Sequence, residues 1–232
     1  MPFYGFFDPL YLIIALPALL LGLYAQYKVS STFQRYLRIA NARGMTGSAA
    51  AETLLRYAGL TEVGIEGTRG RLTDHYDPRS KVLSLSRDVA TQPSVASVAV
   101  VAHEVGHAVQ DATNYGPMKL RSAIVPVVSV GSWLGPIVFI LGALAASPQL
   151  ALLGVLAFAA TAAFSLVTLP VELNASSRAM QMLSATGIVS EVELPAARKV
   201  LNAAALTYVA ALAQTLSTLF YYLLLISGMR RR

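Results

Sequence analysis

Val98-Ala-Val-Val-Ala-His-Glu-Val-Gly-His-Ala-Val-Gln110 is the stretch on which the reading of the whole chain turns. Its polar side chains are His103, Glu104, His107 and Gln110; the rest is valine, alanine and one glycine. Pro93 or Ser94 can open a helix here, and no breaker follows before Asn114. On a helix His103 and His107 fall about 40° apart and one turn apart, on a single face. Two imidazoles so placed can share one zinc ion at about 2.0–2.1 Å each. Glu104 falls about 100° round the same wheel, within reach of a water at the metal. Gly106 adds no side chain and lets other backbone approach the helix. His103-Glu-Val-Gly-His107 is thus H-E-x-x-H, and it uses two of the chain's three histidines.

Outside this stretch the chain is a membrane protein by composition. Of its 232 residues 55% are hydrophobic and 13% charged, and mean hydropathy is +0.57. Four windows, Pro9–Tyr27, Ala123–Ala146, Leu150–Leu169 and Ala204–Ser227, contain no Asp, Glu, Lys or Arg. Each is long enough, at about 20 helical residues, to cross a hydrocarbon core of about 30 Å. Val95–Ala102 is too short to span and reads as the buried half of the metal helix. No Lys or Arg precedes the first window and no small-x-small site closes it, so it is expected to stay as an anchor rather than be cleaved.

With no cysteine, a zinc site must be built from His and carboxylate. The net charge of +6 is spread along the polar segments without a dense Lys/Arg stripe, which argues against nucleic acid as a partner. Lys28, Arg35, Arg38, Arg43, Lys119, Arg121, Arg178, Arg198 and Lys199 fall on the metal-site side of the spans, and Arg230, Arg231 and Arg232 on the other. The positive-inside rule then puts the metal site at the cytoplasmic face of the cell membrane. The terminal arginine triplet argues the other way.

Between the first window and the metal helix, Lys28–Gly44 reads as a continuation of the first helix, and Met45–Gly59 as a helix capped by Thr46 or Ser48. Gly64–Arg71 is glycine-rich and reads as turns. Leu72–Ser86 reads as a β-hairpin about Asp77-Pro78, with His75, a solvated histidine or an oxyanion helper, at its turn. Such a hairpin can offer an edge to an extended peptide or merely cover the metal helix. Ser190-Glu-Val-Glu193 has the form of a capping box.

A catalytic zinc takes three protein ligands and leaves one position open. A further histidine at metzincin spacing is excluded by Gln110 and Thr113. Asp111 lies one turn past His107, but three ligands in consecutive turns of one helix wrap a tetrahedral ion poorly. Glu172 is the better candidate: it follows the third window as His103 follows the first, so both emerge on one side. Ala175, Ser176 and Ala179 would let its helix lie close to the metal helix.

Asp74-His-Tyr-Asp-Pro-Arg79, Leu83-Ser-Leu-Ser86, His103–Gln110, Pro170-Val-Glu-Leu-Asn-Ala-Ser-Ser-Arg-Ala179 and Ala204-Ala-Leu-Thr-Tyr-Val-Ala210 together resemble the YugP-type neutral zinc metallopeptidases of bacterial membranes. The resemblance covers most of the chain. It implies an integral membrane metalloendopeptidase acting on protein or peptide, with His103 and His107 as zinc ligands and Glu104 as catalytic base. The site is also similar to that of HtpX-like membrane gluzincins, whose third ligand opens an E-x-x-A-D helix. Glu172-Leu-Asn-Ala-Ser176 matches that frame with Ser176 in place of the Asp, which leaves open whether Asn174 or Ser176 orients the histidines. Tyr208, entering the last window, is a candidate oxyanion stabiliser or an interfacial anchor.

The expected fold is mainly α: about four transmembrane helices with a small zincin-like, helix-plus-hairpin catalytic domain. Residues 1–27 would be the anchor, 28–121 the part bearing the metal helix and 122–171 a transmembrane hairpin. Residues 172–203 would carry the third ligand and a connector, and 204–232 the last transmembrane helix and basic tail. Two other functions fit the composition. A protease cutting within the bilayer would need its metal helix inside a span and an acidic ligand in an L-D-G context, and neither is present. A zinc-stabilised scaffold without turnover would have no use for Glu104.

Overall fold

The computed structural model describes residues 9–229. In chain order the elements are α1 (Pro9–Leu37), α2 (Gly47–Tyr57), β1 (Gly64–Thr68), β2 (His75–Asp77), β3 (Val82–Ser86), α3 (Arg87–Thr91), α4 (Val95–Ala112), α5 (Gly116–Leu144), α6 (Pro148–Thr186) and α7 (Leu194–Met229). The fold is mainly helical, as expected, and α1, α5, α6 and α7 are each long and apolar enough to cross a membrane.

The chain divides into two compact bodies. The apolar body comprises, of the described residues, 9–26, 120–169 and 207–229. Its α5–α6 hairpin turns through Ala146 at φ 48° and closes on glycine. A methyl on Gly131 would meet the Ala157 carbonyl oxygen at 2.5 Å, and one on Gly142 or Gly154 would strike the backbone of Ala151 or Phe139. Small residues allow this approach where lipid supplies no hydrophobic drive between helices. Phe139 stacks on Tyr222 of α7 at 3.9 Å, and the Ser217 hydroxyl of α7 donates to the Ile14 carbonyl of α1 at 2.7 Å.

The second body, residues 27–119 and 170–206, is built around α4. Ser94 caps α4, its hydroxyl accepting from the Ser97 N–H at 3.1 Å. Asn114, at φ 53°, follows its end. Val95, Val98, Val101, Ala102 and Val105 are all sealed from solvent against α2, α3 and the sheet. This dense apolar half is the segment too short to span, buried in protein rather than lipid. Thr46 caps α2, accepting from the Ala49 N–H at 3.3 Å, and Gly59 at φ 70° ends the turn that follows.

Four local readings change. Gly64–Thr68 is a strand and not a run of turns: β1 pairs parallel with β3, Gly64 opposite Val82 and Thr68 opposite Ser86. The predicted hairpin exists, β2 antiparallel to β3 with Tyr76 opposite Leu83, but β3 is the centre of a three-stranded sheet ordered β1-β3-β2. Parallel pairing is non-local, and two glycines in five residues hide it from local propensity. His75 lies in β2 rather than at the turn, exposed, its Nδ1 2.9 Å from the Thr73 carbonyl oxygen. Glu172 does not open a separate helix, because α6 runs unbroken through Pro170. Glu193 does act on Ser190 as a capping box requires, accepting from its N–H at 2.7 Å.

Candidate metal centre

His103, Glu104, His107 and Glu172 all lie in the α4-centred body. His103 and His107 project from one face of α4 as the spacing predicts, their rings 4.8 Å apart and nearly perpendicular. Helix α6 brings Glu172 to them from a position 65 residues beyond His107. The contact is possible because Gly106 faces the α6 backbone. A Cβ there would come within 2.6 Å of the Ala175 carbonyl oxygen, and Ala175 and Ala179 are themselves fully buried. Glu172 Oε2 then sits 3.1 Å from His103 Nε2 and 3.4 Å from His107 Nε2. One donor atom from each of the three lies within 4.8 Å of the others.

The residues present suit a divalent cation. Two imidazole nitrogens and one carboxylate oxygen are the borderline donor set that zinc takes in catalytic sites. The site also draws positive charge in its own right. Burial opposes ionisation of Glu172, outside the apolar stretch that ends at Leu169, yet its bonds with His103 and His107 hold it well below the usual carboxylate range. Burial likewise opposes a charged His107, but the hydrogen bond to Glu172 and the charges of Glu104 and Glu172 raise it above its ordinary value.

Each imidazole is also held from behind. His103 Nδ1 lies 3.1 Å from Ser176 Oγ, and His107 Nδ1 lies 2.9 Å from Gln110 Oε1. Ser176 therefore touches one of the two histidines directly. Asn174 reaches the other only through Gln110, whose Nε2 donates to Asn174 Oδ1 at 3.0 Å. Gln110 escaped the reading of the sequence. The available signal was an amide three residues past His107, on the helix face that carries both histidines.

Glu104 is buried beside the two histidines, and burial pushes its carboxyl up against their electrostatic pull. The Tyr76 N–H of β2 donates to Glu104 Oε2 at 3.1 Å, while the Tyr76 hydroxyl donates to Asp111 Oδ2 at 2.9 Å. One residue thus pins the strand to two turns of α4, and Asp111 is engaged there rather than grouped with the histidines. Behind β2, Asp74 accepts from the Ser86 N–H at 2.6 Å and from its hydroxyl at 3.0 Å, tying the approach to β2 onto the end of β3. Tyr208 belongs to the apolar body, on α7.

Comparison with known proteins places this chain in a class. The family described as "Putative neutral zinc metallopeptidase" matches residues 11–227, and the chain belongs to it. It is also similar to a Bacillus subtilis (strain 168) protein described as "Putative membrane protease YugP". The two are 42% identical over 216 residues, which cover 93% of this chain and 96% of that one. No solved structure matches.

Proposed function

We propose that the protein is a membrane zinc endopeptidase in which His103, His107 and Glu172 hold the metal and Glu104 moves the proton. The observation that carries this is the convergence of three donors from α4 and α6 within 4.8 Å, with a buried carboxylate on the adjoining residue of α4. Bound zinc would polarise the scissile carbonyl and acidify a water. Glu104 takes a proton from the attacking water and gives it to the amine nitrogen as the C–N bond breaks. Burial, by raising this carboxyl, moves it toward the near-neutral range that suits a group acting first as base and then as acid.

The strand β2 supports a polypeptide substrate. In the β2–β3 ladder the Tyr76 N–H points away from β3 and toward Glu104, so the outer edge of β2 runs past the proposed base. A peptide laid along that edge would replace Glu104 on the Tyr76 N–H and be held by its backbone with little regard to sequence. Membrane-associated or misfolded proteins are the proposed substrates, on the cytoplasmic side. Tyr208 is carried as the oxyanion donor.

The test is zinc content and casein cleavage by detergent-purified protein, with three variants beside the wild type. Glu104→Gln should keep one zinc per chain and lose about 10²–10⁴-fold in turnover. Glu172→Ala should lose both zinc and cleavage. Tyr208→Phe should keep zinc and lose turnover; full activity there would remove Tyr208 from the site. Absence of zinc from the wild type would overturn the enzyme reading altogether.

A further inference from the structure

The bonds behind His107 continue beyond Gln110, and their direction follows from chemistry. Arg178 Nε lies 2.8 Å from Asn174 Oδ1. A guanidinium has only donors, so the Asn174 oxygen must face it. That same oxygen accepts the second bond, from Gln110 Nε2. Gln110 Nε2 also lies 2.8 Å from the Val171 carbonyl oxygen, which can only accept. Two acceptors on one side fix the orientation of the Gln110 amide, nitrogen toward α6 and oxygen toward His107. An amide oxygen cannot donate, so the His107 Nδ1 opposite it, 2.9 Å away, must carry hydrogen. In the neutral ring the lone pair then lies on Nε2, the atom that faces Glu172.

His103 has no such constraint from behind. Its Nδ1 meets the Ser176 hydroxyl, which can donate or accept. The two rings are therefore oriented by unlike devices, one adaptable and one directional.

We propose that Arg178, Asn174 and Gln110 form a directional relay that presents the Nε2 lone pair of His107 to the metal. Gln110 is the positioning residue of the three, since it alone touches the ring. It is fully buried, and a fully buried amide is retained only where its bonds are made. The same amide joins α4 to the backbone of α6 at Val171, next to Glu172. Gln110 thus orients one ligand and ties down the helix that supplies another. The proposal rests on the zinc-site reading given above.

The chain has three histidines, so ring-¹⁵N labelling yields three ring patterns from zinc-loaded protein in detergent. His107 should show Nε2 bound to metal and a slowly exchanging proton on Nδ1. Ligation through Nδ1, with the proton on Nε2, would overturn the relay in the wild type alone. Gln110→Met keeps the length and removes both acceptor and donors. It should weaken zinc binding about 10–100-fold and speed exchange of the Nδ1 proton. Asn174→Asp keeps an acceptor for both Arg178 and Gln110 and should hold zinc affinity near wild type, whereas Asn174→Leu removes it and should weaken binding in the same direction as Gln110→Met. Wild-type affinity in Asn174→Leu would mean that Gln110 acts through packing, which also overturns the relay. Wild-type protein that binds no zinc would instead sink the underlying reading, so the two failures are distinct.

Discussion

Single residues divide this site into what local pattern reveals and what it conceals. His103, Glu104 and His107 are legible because helical spacing alone puts them together, and Glu172 because chain topology returns it to the same side. Gln110 is not legible, because its partners Val171 and Asn174 lie on another helix. Asp74 is concealed in the same way. Its two bonds to Ser86 look back across the sheet, and burial raises its carboxyl above the ordinary 3.8 in spite of them. A raised acid favours the folded state while protonated. The stability it contributes is fully present below pH 3.8 and is lost as pH rises through the folded value. Asp74→Asn keeps an acceptor for the Ser86 N–H and removes the titration. It should therefore unfold at a temperature equal to or above wild type at pH 7, with a flatter profile as pH rises above 3.8. A variant clearly less stable at pH 7 would show that the ionised carboxylate is needed.

At the scale of elements, the four long helices were readable because each contains a long uncharged apolar run. The sheet was readable only in part. Val82–Ser86 carries leucines at alternating positions, whereas Gly64-Ile-Glu-Gly-Thr68 has two glycines in five residues and gains its place from β3. The continuity of α6 through Pro170 was likewise hidden, since proline ordinarily marks a break. What the elements require of each other is most severe where α4 crosses α6. Gly106→Ala would place a methyl 2.6 Å from the Ala175 carbonyl oxygen, which belongs to backbone and cannot swing aside. The helices must part, at a cost of about 1–3 kcal/mol, and the donor atoms part with them. Thermal unfolding and zinc titration should both shift. A variant that melts lower yet binds zinc as tightly would show that the crossing does not set the donor spacing.

At the scale of the whole molecule, the distribution of charge makes a claim about sidedness. Lys28, Arg35, Arg38, Arg43, Lys119, Arg178, Arg198 and Lys199 all belong to the body that carries the histidines. The natural chain has no cysteine, so single introduced thiols report without background. Ser80→Cys, exposed after β2, should react with an impermeant maleimide only after cells are opened. Gln149→Cys, exposed at the start of α6, should react in intact cells. The reverse pattern would put the site outside. The uninterrupted α6 has one more consequence. Glu172 sits one turn past the apolar stretch ending at Leu169, on the rod that must fit its length to the lipid. A rod longer than the hydrocarbon around it tilts, and a shorter one thins the bilayer beside it. If that adjustment carries along α6 to the carboxylate, zinc affinity in vesicles should change as acyl chains are lengthened. Constant affinity across the series would mean that the end of the rod at Glu172 is held fast whatever the lipid does.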